Sequence, residues 1–418
     1  MNVYVRELVS SLSQTGVECT TFTRADREGL PAEVMIEPGH RVVHIVAGPH
    51  HLPKEALPEI SDEFCHGVIE WIKANEMPDV IHGNYWLSGV VGHHLKHELG
   101  VPFVSTFHTL ARVKAEGGDP EPMWRDRAEA EIIQCSDGIC VSCVEEEEQF
   151  RRLYGDPAGR IEIISPGVEH SFFAPGARVA ARQAIGFDAD RPLVLFVGRI
   201  QPLKGPDVAI RALAALERDD VQLALVGGSS GRNGDVQAAE AHALVDELGL
   251  HDQVHFVEPQ PHHILSSWYR AADVVLVPSR SESFGLVALE AAACGIPVVA
   301  SAVGGLLSLV DDGETGFLIE GRRPTDFAVA MAAILDNAEL AAAMGTAAEE
   351  RARSYTWRAA ADRLGSLYVD LDAAAELVSC HVDDVTEVRH IDDVLADAAA
   401  NETNGAVTVI NPAPEVVS

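Results

Sequence analysis

The sequence predicts an α/β protein made of two doubly wound halves, each a parallel sheet with helices on both faces. Three observations carry this. Short β-branched runs, at residues 41–46, 79–82, 103–106, 193–197, 222–226, 273–277 and 297–300, alternate with longer helical patterns. The runs are near-continuously apolar rather than alternating, which marks strands buried on both faces. A Pro/Gly-rich passage at 165–176 divides a chain of 418 residues, enough for two halves that each bury a core.

Taken in order, Val5, Leu8, Val9 and Leu12 form a helical stripe at the very start, and 17–23 then reads as a strand. A doubly wound domain normally starts on a strand near the middle of its sheet. Losing one would remove several buried side chains at ~1.5–3 kcal/mol each, against a net stability of ~5–15 kcal/mol. His93, His94 and His97 include an i, i+4 pair on a helical pattern, read as a solvated face. Cys140 and Cys143 have C-x-x-C spacing inside a strand-like run, which suits buried thiols rather than a redox pair. The run Glu145 to Glu148 reads as a solvated helix start. Asp188 and Asp190, of D-x-D form, read as a turn before a strand. A final helical pattern at 356–371 carries Trp357, Leu364, Leu367 and Tyr368. Beyond 381 the chain becomes acidic, then Asn/Thr/Pro-rich, and is expected to be disordered.

Composition excludes several function classes. Asp plus Glu number 64 against 31 Lys plus Arg, a formal net charge of -33 that repels nucleic acid and anionic membrane surfaces. No apolar run reaches the ~20 residues of a spanning helix. The longest, 296–310, is broken by Gly304 and Gly305. Seven scattered cysteines read as buried thiols, and no basic-then-apolar leader opens the chain, so the expected address is the cytoplasm.

The sharpest constellation follows the run ending at Val277. Glu282 and Glu290 stand eight residues apart. On one helix they would be about 80° out of register, so Glu282 belongs to the loop before the helix. Ser281 or Ser283 would cap that helix, with backbone amides near Phe284, Gly285 and Leu286 turned toward an anion. A second element, G-R-x-x-x-x-K-G, places Arg199 and Lys204 at the carboxyl edge of a sheet, where open α/β folds bind ligands. A forked and a point cation beside an anion cradle suit a departing nucleotide diphosphate. A third glycine-rich turn, 226–231, also follows a strand.

Together, G-R-x-x-x-x-K-G and E-S-F-G-L-x-x-x-E closely resemble the family-four retaining glycosyltransferases, over residues 1 to about 371. The resemblance implies a GT-B fold, two Rossmann-like domains facing across a cleft. It divides the chain into an acceptor-binding domain (1–166), a nucleotide-sugar-binding domain (167–355), a crossover helix returning to the first domain (356–380) and a tail (381–418). It implies Arg199 and Lys204 on the donor diphosphate, Glu290 on the ribose and Glu282 on the sugar. Gln260, Phe284, Gly285 and Leu286 complete the donor site, with His108 at the reacting centre.

Within the family, the first half resembles the mycothiol-pathway transferases that move N-acetylglucosamine from UDP to an inositol phosphate. The matching stretches are 1–8, 47–49 with 54–58, 84–89, 108–114 and 120–125. They imply acceptor contacts from Asn2, Lys54, Tyr85, Thr109 and Arg125, groups suited to a phosphate and a polyol. No cofactor is obligatory. A magnesium ion, if used, falls on Tyr269, Arg270 and Ala272, with Ile296 where a threonine is usual. A homodimer is compatible with the resemblance; nucleic acid and membrane partners are not expected. The family also carries a strand and a Gly-Gly loop immediately before the first stretch. The expectation is therefore an upstream start. The alternatives are a family-four enzyme with another donor or acceptor, or a non-catalytic sugar-nucleotide-binding protein.

Overall fold

A computed structural model describes residues 2–187, 190–229, 234–374 and 376–379, without the side chain of Asn2. The expected tail at 381–418, part of the D-x-D turn and the end of the 226–231 turn lie outside the described residues.

The first half contributes β1 (Cys19–Arg24), β2 (Glu33–Glu37), β3 (His40–Ile45), β4 (Ile81–Asn84), β5 (Phe103–Thr106), β6 (Gly138–Val141) and β7 (Arg160–Ile163). The second contributes β8 (Leu193–Val197), β9 (Gln222–Val226), β10 (Val254–Val257), β11 (Val274–Val277), β12 (Val298–Ser301) and β13 (Gly316–Ile319). The runs at 103–106, 193–197 and 222–226 are strands residue for residue. The run at 79–82 slides to Ile81–Asn84, because a bend at Asp79 after Pro78 delays the extended backbone.

β8 to β13 form one sheet in the order β10-β9-β8-β11-β12-β13, parallel throughout. Its alternation feeds two cores. Val194, Phe196, Leu223 and Leu225 pack under the helix Pro206–Ala215, and Leu193, Leu195, Ala224 and Val226 pack on the opposite side.

The first half differs from an unbroken parallel sheet. Its strands form two pieces, β1-β3-β2 and β4-β5-β6-β7, and β2 runs antiparallel to β3. Among the described residues β1 pairs with β3 and β4 with β5, so their other edges carry no ladder. Phe22 of β1 and Ile81 of β4 nevertheless join one apolar cluster with Val43, Val68 and Val91.

The opening stripe forms the helix Asn2–Gln14, which buries Tyr4, Leu8 and Leu12 with Trp357, Leu364 and Leu367 of the final helix Trp357–Asp372. Thr356 caps that final helix by accepting a hydrogen bond from the Ala359 amide. The helix reaches the first half through Arg363 on Glu162 at 2.6 Å and Tyr368 on His82 Nδ1 at 2.6 Å. Burial lowers the His82 pKa to about 4, so a neutral ring meets the phenol.

Three local readings need correction. Cys135 is disulfide-bonded, whereas Cys19, Cys65, Cys140, Cys143 and Cys294 are free thiols. His93 and His97 are not a simple solvated face, since their Nε2 atoms lie 3.1 Å apart and His97 reaches the Cys135 sulfur. Glu146 is not solvated either: it accepts from the Ser142 amide at 2.6 Å, and burial raises its pKa. No single helix among the described residues is long and apolar enough to cross a membrane.

Candidate active site

The loops after β8, β9, β11 and β12 converge at the carboxyl edge of the second sheet. The loop after β8 carries Arg199 and Lys204 and closes at Gly205, whose positive φ of 75° starts the helix Pro206–Ala215. A Cβ there would lie 2.3 Å from the Pro278 carbonyl oxygen, so glycine lets this loop meet the one after β11. The Arg280 amide donates to the Leu203 carbonyl at 2.8 Å and completes the junction. Lys204 Nζ then lies 2.5 Å from Glu282 Oε2, which also accepts from Ser279 Oγ at 3.2 Å. Arg199 is exposed, with no ion pair among the described residues. Gln260, after β10, folds its amide back onto the Glu258 carbonyl.

Glu282 sits in the loop, and the helix begins at Leu286. The expected serine cap is not formed. The capping residue is Gly285 at φ 106°, a left-handed position that serine does not readily adopt, and Ser283 is turned elsewhere. First-turn amides of this helix have no partner within it. Glu290, one turn into the helix, accepts from the Tyr269 hydroxyl at 2.6 Å. Burial pushes its pKa from 4.5 to about 7, against a smaller lowering by that hydrogen bond. With Leu286, it lines a cavity closed by Val3 and Glu7 of the first helix and by His262.

Across the cleft, Tyr85 and His108 both hold positive φ, 81° and 60°, without being glycine. His108 Nε2 lies 2.9 Å from Asn84 Oδ1, and its ring stands edge-on to Tyr4 at 4.8 Å. Burial lowers its pKa to about 3, so the imidazole is neutral. Lys54, Tyr85, Thr109 and Arg125 come together. The Arg125 guanidinium lies 5.3 Å from the Tyr85 ring centre and donates to Thr109 O at 3.0 Å and Thr109 Oγ1 at 3.3 Å. Lys54 Nζ lies 5.8 Å from the same Tyr85 ring.

The two halves meet at Ser283. Its hydroxyl donates to the His108 carbonyl at 2.8 Å, and its carbonyl accepts from Ser142 Oγ at 3.2 Å. Ser308 and Glu145 add a second contact across the cleft. Spacing gave no sign of these contacts, nor of the Tyr269 bond to Glu290, because each joins residues distant in sequence.

The side chains of Tyr269, Arg270 and Ala272 do not fit a magnesium ion. Tyr269 is committed to Glu290, Arg270 is a cation donating to Phe172 O and Ser266 Oγ, and Ala272 has no side-chain donor.

Comparison with known proteins agrees with this architecture. Residues 1–167 match the family described as glycosyl transferase 4-like domain, and residues 178–351 match glycosyl transferases group 1. The chain is 43% identical over 381 residues to D-inositol 3-phosphate glycosyltransferase 2 of Catenulispora acidiphila, covering 88% of this chain and 89% of that protein. It is 44% identical to D-inositol 3-phosphate glycosyltransferase of Kribbella flavida, covering 88% and 90%. Among solved structures, sucrose-phosphate synthase from Thermosynechococcus elongatus aligns with TM-score 0.84 and 35% identity, covering 90% of this chain and 94% of that one. Two α/β halves, a cleft between them and these relatives lead to one assignment: the chain belongs to the family-four retaining glycosyltransferases and has their GT-B fold.

Proposed function

We propose that this enzyme transfers N-acetylglucosamine from UDP-N-acetylglucosamine to 1D-myo-inositol 3-phosphate with retention at the anomeric carbon. The observation that carries the reading is the meeting of Lys54, Tyr85, Thr109 and Arg125 across the cleft from Lys204 and Glu282. Cations, a phenol and a hydroxyl at one place suit a phosphorylated polyol. The curated relatives named as D-inositol 3-phosphate glycosyltransferases support the same acceptor.

In this reading Arg199 and Lys204 hold the donor diphosphate with the amides near Phe284, Gly285 and Leu286. Glu290 accepts from the ribose hydroxyls, Gln260 faces the base, and Glu282 holds the sugar once Lys204 turns to phosphate. The acceptor hydroxyl attacks the anomeric carbon from the side on which UDP departs. The carbon–oxygen bond to UDP breaks as the new one forms, and a donor phosphate oxygen takes the hydroxyl proton. Arg199 and Lys204 stabilise the growing charge on the leaving group, while neutral His108 offers a hydrogen-bonding edge without adding charge. Closure at Ser283 limits water that would hydrolyse the donor.

Release of UDP from UDP-N-acetylglucosamine, with and without the inositol phosphate, tests the reading. Acceptor-dependent release and a product of the summed mass support it; release indifferent to the acceptor rejects it. A second reading, transfer to another phosphorylated acceptor, is favoured by the likeness to a sucrose-phosphate synthase. A panel of sugar phosphates and nucleotide sugars separates the two.

A further inference from the structure

Arg125 lies at the centre of the acceptor cluster, yet its charge is already matched. Its side chain is 3% exposed; Nε donates to Glu129 at 2.8 Å and Nη1 lies 3.0 Å from Glu121 Oε1. The same Nη1 points to the Tyr85 hydroxyl at 3.5 Å, so the Glu121 carboxylate sits among the groups assigned to the acceptor. That Glu121 oxygen also pairs with Lys114, whose ammonium holds Asp119 as well, at 2.9 Å.

The charges decide what this means. Lys54, Lys114 and Arg125 bring three positive charges, and Asp119, Glu121 and Glu129 bring three negative ones. A phosphate dianion entering such a neutral cluster gains no net attraction and meets a carboxylate on its guanidinium. Glu129 cannot leave: it is fully buried and also accepts from the Ala111 amide and the Tyr154 hydroxyl. Glu121 can. It lies between the helices Ala111–Glu116 and Met123–Cys135, and its neighbours Pro120 and Pro122 are exposed.

We infer that Glu121 gates the phosphate subsite, its carboxylate occupying the place on Arg125 and Lys114 that the acceptor's phosphate takes when Glu121 swings outward. This rests on the acceptor reading above. The exchange of one carboxylate for one phosphate leaves both cations paired in the empty and the filled states. It also makes the enzyme select for phosphorylated acceptors, since an uncharged polyol cannot displace the carboxylate.

The test is calorimetric titration of inorganic phosphate into the full chain, its Glu121→Gln and Glu121→Asp variants and an Arg125→Met control, with UDP titrated in parallel. Glu121→Gln is expected to bind phosphate about tenfold more tightly than the parent, with Glu121→Asp between them. Equal or weaker phosphate binding in Glu121→Gln, while Arg125→Met still weakens it, overturns the gate and leaves the acceptor reading standing. No phosphate binding to the parent or to Glu121→Gln, with UDP binding intact, removes the acceptor reading and the gate with it. Glu121→Asp keeps the test decisive if the glutamine variant folds poorly.

Discussion

Lys204 and Glu282 are joined by an ion pair of 2.5 Å, linking the loop after β8 to the loop after β11 at the point where the donor is expected. In the proposed reading the donor diphosphate draws Lys204 away from that carboxylate and frees Glu282 for the sugar. Lys204→Ala is expected to lower turnover about 10²–10³-fold, the range for loss of one charge-stabilising donor, with little change in acceptor KM. Arg199→Ala should behave alike. Steady-state UDP release measures both, and turnover undiminished in the two variants would discredit the assignment.

Glu290 gives a pH dependence whose sign is fixed. Its folded pKa of about 7 lies above the ordinary 4.5, so the carboxyl is neutral below 7 and, in the proposed reading, accepts ribose hydroxyls best above it. UDP affinity should therefore rise from about pH 6 to about pH 8. The contribution of this group to folding runs the other way, fully present below the ordinary value and lost as pH rises through 7. Tyr269→Phe removes a hydrogen bond to the charged form and should move the binding midpoint upward; Glu290→Gln should flatten it. Titration of UDP across this range is the measurement.

Ser283→Ala removes one of the hydrogen bonds that join the two halves, the one from its hydroxyl to the His108 carbonyl. One neutral hydrogen bond is worth ~0.5–1.5 kcal/mol, so the open fraction should grow about two- to tenfold. The expected readout is faster UDP release without acceptor and slower transfer with it. A variant with both rates unchanged argues against the contact.

Lys96 and Asp137 form an ion pair at 2.8 Å, 3% and 4% exposed, which also receives the chain beyond the final helix: Asp137 accepts from the Val378 amide. Burial lowers the Lys96 pKa. Asp137→Asn strips the charge from one partner and is expected to cost ~3–5 kcal/mol of stability, read from the urea midpoint.

Much of the scaffold is legible before folding, and the reason is local. β5, β8 and β9 are buried on both faces, so their unbroken apolar runs name their own boundaries. The antiparallel β2 escapes that logic, because only two of its five residues are even half-buried and its sequence, Glu33 to Glu37, carries charge at both ends. In the candidate site, glycines and charges at fixed spacing show where Arg199, Lys204, Glu282 and Glu290 lie. What each one touches is not local. Tyr269 meets Glu290, Ser283 meets His108, and Glu121 shares its carboxylate between Arg125 and Lys114; only packing brings these together. The serine cap failed because the turn into the helix requires a backbone angle suited to Gly285, a demand invisible in a capping pattern.

The second half is built on one continuous ladder in which β8 and β11 are direct partners. From β10 to β13 the peptide groups of six strands are knitted edge to edge, so the carboxyl edge that carries Arg199, Lys204 and Glu282 resists shear. Lys204 follows β8 and Glu282 follows β11, so the spacing of this pair is anchored by backbone bonds between adjoining strands whatever happens at the Ser283 contact.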